Sequence, residues 1–251
     1  MKLALLSDIH ATLQALHACL DHAEQHGARQ FALLGDLVGY GGDPAPVMDR
    51  IMQMAQHGAV VLKGNHDAMA LNPPQQSGAL GESTAAWTHA QLTQEHRQFL
   101  AALPLTARLQ SCFLVHASAD APAKWRYVDD ERSAAASLAS AAATDPAVRY
   151  VFGGHVHHQT LYYKGSRGKL MAFSPTAGVP IPLPIHRHWI ATVGSVGQPR
   201  DGQPSAMYAI FDLRQARLTF HRVPYDHMAA AAAVRRAGLP DDFAKRLEEG
   251  R

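Results

Sequence analysis

Short apolar runs punctuate the first two thirds of the chain, and each stops at a polar residue of chemical interest. Leu3-Ala4-Leu5-Leu6, Phe31-Ala32-Leu33-Leu34, Ala59-Val60-Val61-Leu62, Phe113-Leu114-Val115 and Tyr150-Val151-Phe152 have the length and composition of buried strands. Segments of helical period lie between them. Thr12 to His26 puts Leu13, Leu16, Leu20 and Ala23 on one face, with Thr12 as N-cap and Gly27 as C-cap. His17, His22 and His26 read as solvated residues of this helix. Asp43-Pro44 starts a second helix that runs to about Gln56. Ser83 to Leu103 reads as one helix ended by Pro104, with Trp87, Leu92, Phe99 and Leu100 as core residues. Arg132 to Ala143 is helical by its alanine content. Strands that alternate with helices predict a mostly parallel sheet.

The pattern changes after His158. Leu161-Tyr162-Tyr163, Lys169 to Phe173, Trp189 to Val193, Met207 to Leu213 and Leu218 to Val223 are strand-like and separated by Gly and Pro turns, without helices between them. They predict a second, largely antiparallel sheet packed on the first. Asn72 to Gly81 and Pro175 to Pro184 read as loops, the first of them placed to form one wall of a cleft. His227 to Gly238 reads as a surface helix, and residues from about 239 to 251 as a mobile charged tail.

Composition narrows the class. With 251 residues and 47% apolar content, the chain can form one domain over 1–251 with a large core. A net charge of +2 argues against tight nucleic-acid binding and against a membrane surface. Cys19 and Cys112 have no paired spacing and read as free thiols of a reducing compartment. Neither a signal h-region nor a stretch of transmembrane length is present, so the expected location is cytoplasmic.

The chemistry lies where the strands end. Asp8 and His10 follow the first strand, Asp36 the second, Asn65 and His66 the third, His116 the fourth, and His155 and His157 the fifth. Open α/β sheets place ligands at the carboxyl ends of their strands, so these residues are expected to converge. The glycines around Asp36 match neither the dinucleotide-binding nor the Walker spacing. Asp8, His10, Asp36, Asn65, His116, His155 and His157 supply seven nitrogen and oxygen donors and no thiolate. Two metal ions that share one carboxylate would use such a set with four ligands each, and Asp36 is the best candidate for the shared one. Trp125 and Tyr127 read either as core aromatics or, with Arg126, as the flank of a phosphate pocket. Arg200 is a loop arginine placed either in solvent or against a substrate phosphate.

Asp8-Ile9-His10, Gly35-Asp36, Gly64-Asn65-His66-Asp67, His116 and Gly154-His155-Val156-His157, in this order, resemble the calcineurin-like metallophosphoesterase superfamily, in its branch of small stand-alone bacterial and archaeal enzymes. The resemblance implies a four-layer α/β/β/α sandwich of two mixed sheets flanked by helices. It implies one metal on Asp8, His10, Asp36 and His157 and a second on Asp36, Asn65, His116 and His155. The ions would be Mn²⁺, Fe or Zn²⁺, the nucleophile a metal-bridging hydroxide, and His66 the acid that protonates the leaving oxygen.

One departure from the family's protein phosphatases matters. Their Gly-Asp-x-Val-Asp-Arg-Gly motif corresponds here to Gly35-Asp36-Leu37-Val38-Gly39-Tyr40-Gly41. Gly39 replaces the Asp that orients the catalytic His, and Tyr40 replaces a phosphate-binding Arg. A phosphoprotein substrate is therefore disfavoured, and the substrate-contacting candidates are Asn65, His66, Tyr40, Arg126, Tyr127 and Arg200. The implied activity is hydrolysis of phosphodiesters or of small phosphorylated metabolites, nucleotides included. The alternatives are a dinucleoside polyphosphate hydrolase and a metal-binding regulatory protein without turnover.

Overall fold

The computed structural model describes residues 1–75, 82–165 and 168–251. The first strand lies at the centre of the first sheet. That strand, β1 (Lys2–Leu6), is followed by α1 (Leu13–Gln25), β2 (Ala28–Leu33), α2 (Pro44–Gln56), β3 (Val60–Val61) and α3 (Asn65–Leu71). β1, β2 and β3 pair in parallel. On its other side β1 pairs antiparallel with the late strand β11 (Ala206–Asp212), which pairs with β12 (Arg217–Val223), and that with β9 (Ile181–Pro182). The second sheet runs in the order β4 (Thr106–Leu109), β5 (Cys112–Val115), β6 (Tyr150–Gly153), β10 (Trp189–Val193), β7 (Gln159–Lys164), β8 (Leu170–Phe173).

Both sheets are therefore mixed. The division by sequence, with an early parallel sheet and a late antiparallel one, does not hold. β5 and β6 join the second sheet, while β11 and β12 complete the first. The reason lies in side-chain alternation. Leu3 and Leu5 face the inter-sheet core with Ala209, Phe211, Leu114 and Phe152, whereas Ala4 and Leu6 face the other way, onto α1 and α2 with Tyr208 and Ile210. The outer face of the second sheet, with Val151, Tyr162 and Ile190, is covered by α6 (Glu131–Thr144). Helices on both outer faces of two packed sheets give four layers, as expected.

Three local expectations change. The segment from Ser83 to Leu103 is two helices, α4 (Ala85–Gln91) and α5 (Gln94–Ala102). Thr93 interrupts it: its hydroxyl accepts the amide of His96, which starts a new helix. Near the other end, α7 (His227–Arg236) buries Ala230, Ala231, Ala233 and Val234 rather than lying on the surface. The stretch read as a mobile tail contains α8 (Asp241–Glu249), with Phe243, Ala244 and Leu247 buried. These helices form a small apolar cluster with Tyr40. Of the first predicted loop, residues 76–81 lie outside the described residues. Among the described residues, no helix is long and apolar enough to cross a membrane.

Candidate active site

The parallel strands of both sheets end on one side of the sandwich, and hydrogen bonds tie their loops together. The amides of Asp8 and His10 donate to the carbonyls of Gly35 and Asp36, both at 3.0 Å. Gly154 N donates to the carbonyl of His116 at 2.8 Å, and His155 N to Asp8 Oδ2 at 2.8 Å. The last bond joins the two sheets through a side chain. At Gly154 a Cβ would lie 2.0 Å from Ser7 Oγ, so only glycine lets these loops meet.

These loops hold strained backbone. Asp8 (φ 54°), His10 (φ 48°), Asp36 (φ 51°), His155 (φ 68°) and His157 (φ 59°) all adopt the left-handed region. Each such residue costs about 1–3 kcal/mol, which the surrounding structure must offset. Five of the seven donor residues predicted from sequence carry this cost, and it aims their side chains inward.

Two donor groups result. In each of Asp8/His10/His157 and Asp36/His116/His155, the ligand atoms lie within 4.8 Å of one another. Asp36 Oδ2 stands between them, 3.8 Å from His10 Nε2 and 3.3 Å from His116 Nε2. Asn65, the first residue of α3, brings Oδ1 to 3.1 Å from His116 Nε2. All seven predicted donors thus meet in one place.

The hydrogen bonds show what the place is built to receive. Nδ1 of His10, His116 and His157 faces the carbonyls of Val38 (3.3 Å), Leu34 (2.9 Å) and Gln198 (2.6 Å). A carbonyl only accepts, so each Nδ1 carries the hydrogen and each Nε2 is left for a proton or a cation. His10 Nε2 and His157 Nε2 face each other at 3.2 Å, an arrangement that needs positive charge between them. Among the described residues, Asp8 Oδ1 and His155 Nε2 are buried without a hydrogen-bond partner. Burial opposes the charge on His116, yet the Asp36 carboxylate outweighs it and raises the ring to about 9. For Asp36 and Asp8, burial is likewise overcome, by His116 and His157 respectively, and both carboxyls stay below the usual carboxylate range. Burial, with the neighbouring His116 ring next, pushes His155 down to about 4. Carboxylates held ionised beside imidazole lone pairs fit divalent metal ions.

His66 sits beside both groups. Its amide donates to Asp36 Oδ1 at 2.8 Å, and its ring lies 4.3 Å from the Tyr40 ring and 5.0 Å from that of His10. Burial holds this imidazole below its ordinary value. Asp67 does not orient it. Asp67 accepts the amides of Leu37, Val38 and Gly64 and so shapes the loop instead; burial, then Asp36, raises it to about 7. A Cβ on Gly39 would lie 2.8 Å from His66 Nδ1, so the glycine admits the ring against bare backbone. The wall is made by Tyr40, whose ring also lies 4.4 Å from that of His10 and 5.2 Å from that of Phe243.

The remaining candidates divide. Arg200 donates to Gln198 Oε1 at 3.1 Å, and its positive charge acts on the Tyr40 hydroxyl at the wall beside His66. Tyr127 is 52% exposed and stacks on His155 at 4.2 Å. Arg126 pairs with Asp120 on the exposed surface of the same loop. Ser195 and Gln198 were not expected. Ser195 Oγ donates to the carbonyl of Asp8 at 2.8 Å, and the Gln198 carbonyl fixes His157. Both lie in the Gly- and Pro-containing loop that carries Arg200, over residues 194–202.

A two-sheet sandwich with an Asp/His/Asn cluster across its strand ends defines a metallophosphoesterase architecture. The chain belongs to the calcineurin-like phosphoesterase superfamily, whose domain model matches residues 1–216. It is 32% identical to a metallophosphoesterase from Sphaerobacter thermophilus, whose crystal structure superposes with a TM-score of 0.86 over 100% of both chains. An uncharacterised protein of Methanocaldococcus jannaschii is 29% identical, over 99% of this chain and 98% of the relative. A hypothetical protein from Pyrococcus horikoshii OT3 shares the fold at 18% identity and a TM-score of 0.77, over 100% of this chain and 98% of that one.

Proposed function

We propose that this protein hydrolyses phosphodiesters or small phosphorylated metabolites, nucleotides included, with two divalent metal ions. The observation that carries the reading is Asp36 Oδ2, one oxygen within 4 Å of an imidazole nitrogen from each donor group. Asp8, His10, Asp36 and His157 would hold one ion, and Asp36, Asn65, His116 and His155 the other. Ions so held would activate water and polarise the phosphoryl oxygens.

The chain's own residues do the rest. The hydrogen bond between the His66 amide and Asp36 Oδ1 fixes the imidazole at the edge of the donor cluster. From there it can deliver a proton to the leaving oxygen. Arg200, held beside Tyr40, supplies positive charge where the protein phosphatases use an arginine of the replaced motif. The uncovered face of Tyr127 is suited to a flat ring, which favours nucleotide-derived substrates.

The test is hydrolysis of a chromogenic phosphodiester beside its monoester, after chelation and re-addition of Mn²⁺. Metal-restored turnover that falls ~10²–10⁴-fold in His66→Ala is the expected result. No turnover on these or on a nucleotide panel, with metals bound, would replace this reading with a metal-binding regulatory role.

A further inference from the structure

A second cluster of imidazoles lies well away from the strand ends. His22 and His26 are four residues apart near the end of α1, so they share one helix face. Their rings stack at 4.0 Å. His221, from the centre of β12, faces them from the adjoining sheet with centroids 5.0 Å from His22 and 5.1 Å from His26. One ligand atom from each of the three lies within 4.8 Å of the others. α1 begins just after His10 and is 13 residues long, about 20 Å, which separates this cluster from the catalytic candidates.

Each ring is oriented by a neighbour. His26 Nδ1 is 2.8 Å from the carbonyl of His22, so it carries the hydrogen and Nε2 keeps its lone pair. His22 Nδ1 meets the hydroxyl of Tyr208 at 2.6 Å. Tyr208 pairs with His221 across the ladder and stacks on its ring at 5.0 Å and 20°. In His22 and His26 one ring nitrogen is thus engaged, as the second nitrogen of a metal-ligating histidine characteristically is.

From this geometry we propose that His22, His26 and His221 bind one divalent transition-metal ion, of the kind imidazole favours such as Zn²⁺, at a site separate from the catalytic centre. Three imidazoles leave a fourth position open to the adjoining cleft of about 460 Å³. Bound metal would tie the end of α1 to β12. Lys2 lines the same cleft, with Nζ on the carbonyl of His26, and its charge makes this site weaker than the carboxylate-rich centre.

The experiment is zinc stoichiometry of the chelator-stripped full chain, by titration and elemental analysis, for wild type, His26→Ala and His22→Ala. His26 is exposed and His22 half-buried, so both variants should fold, which circular dichroism checks. Each variant should bind one equivalent fewer than wild type, with Mn²⁺-dependent phosphodiester turnover unchanged. Equal stoichiometry in all three proteins would overturn the site. Because the readout is a difference, it stands whether or not the strand-end cluster binds metal.

Discussion

Asp36 Oδ1 accepts the amide hydrogen of His66 at 2.8 Å, so one carboxylate both positions the proposed proton donor and faces the two donor groups. The two tasks are separable. Asp36→Asn keeps an oxygen for the His66 amide but loses the charge that metal binding needs. Metal content and turnover should collapse in this variant. Asp36→Ala also leaves a buried amide unpaired, so its metal-free form should be less stable than Asp36→Asn by about 1–3 kcal/mol. Elemental analysis and urea melts of the two variants check this.

Gly39 is the residue against which His66 packs, and it has a φ of +90°. Gly39→Ala would strain the backbone and press a methyl on His66 Nδ1. Turnover should fall by up to about 10²-fold through misplacement of the ring. Metal content should hold, because no donor residue is touched. A loss of metal in this variant would show that Gly39 supports the donor cluster instead.

Tyr127 is exposed beside His155. If its free face receives a base, Tyr127→Ala should raise KM for a nucleotide substrate by roughly tenfold, from a stacking energy of about 1–3 kcal/mol. KM for a small chromogenic diester without a purine should hardly change. Equal effects on both would remove the base-stacking role.

Phe243 is 1% exposed and lies against Tyr40. Phe243→Ala should destabilise the protein by about 3–5 kcal/mol, read from the urea midpoint. It should also lower turnover of the folded fraction, since Tyr40 backs His66.

Both thiols are buried, and burial pushes Cys112 up to about 12 and Cys19 higher still. Neither is a thiolate at neutral pH. A chromogenic disulfide reagent should therefore find no reactive thiol in the native protein and both after denaturation.

The donor residues were legible because each follows a short apolar run at a strand end, a local pattern. The assignment of strands to sheets was not, because β1 and β11 pair through alternation that equally fits other partners. The break at Thr93 was hidden by helical propensity on both sides of a cap. α8 was missed because its apolar positions are few, and Phe243 acquires a partner only from distant Tyr40. His22 and His26 read as solvated for a similar reason. Nothing near them in sequence announces His221, which β12 brings from the far part of the chain.

The placement of β1 also has a kinetic meaning. This strand is synthesised long before β11, yet one of its two edges stays open until Ala206–Asp212 exists to pair with it. The loop that carries Asp8 waits still more directly, since its carbonyl receives Ser195 Oγ and the amide of Gly197. Closure over such separations makes folding slow relative to helical proteins of this size. A nascent chain must therefore hold an unpaired apolar edge until β11 emerges, and that edge is open to intermolecular pairing in the meantime.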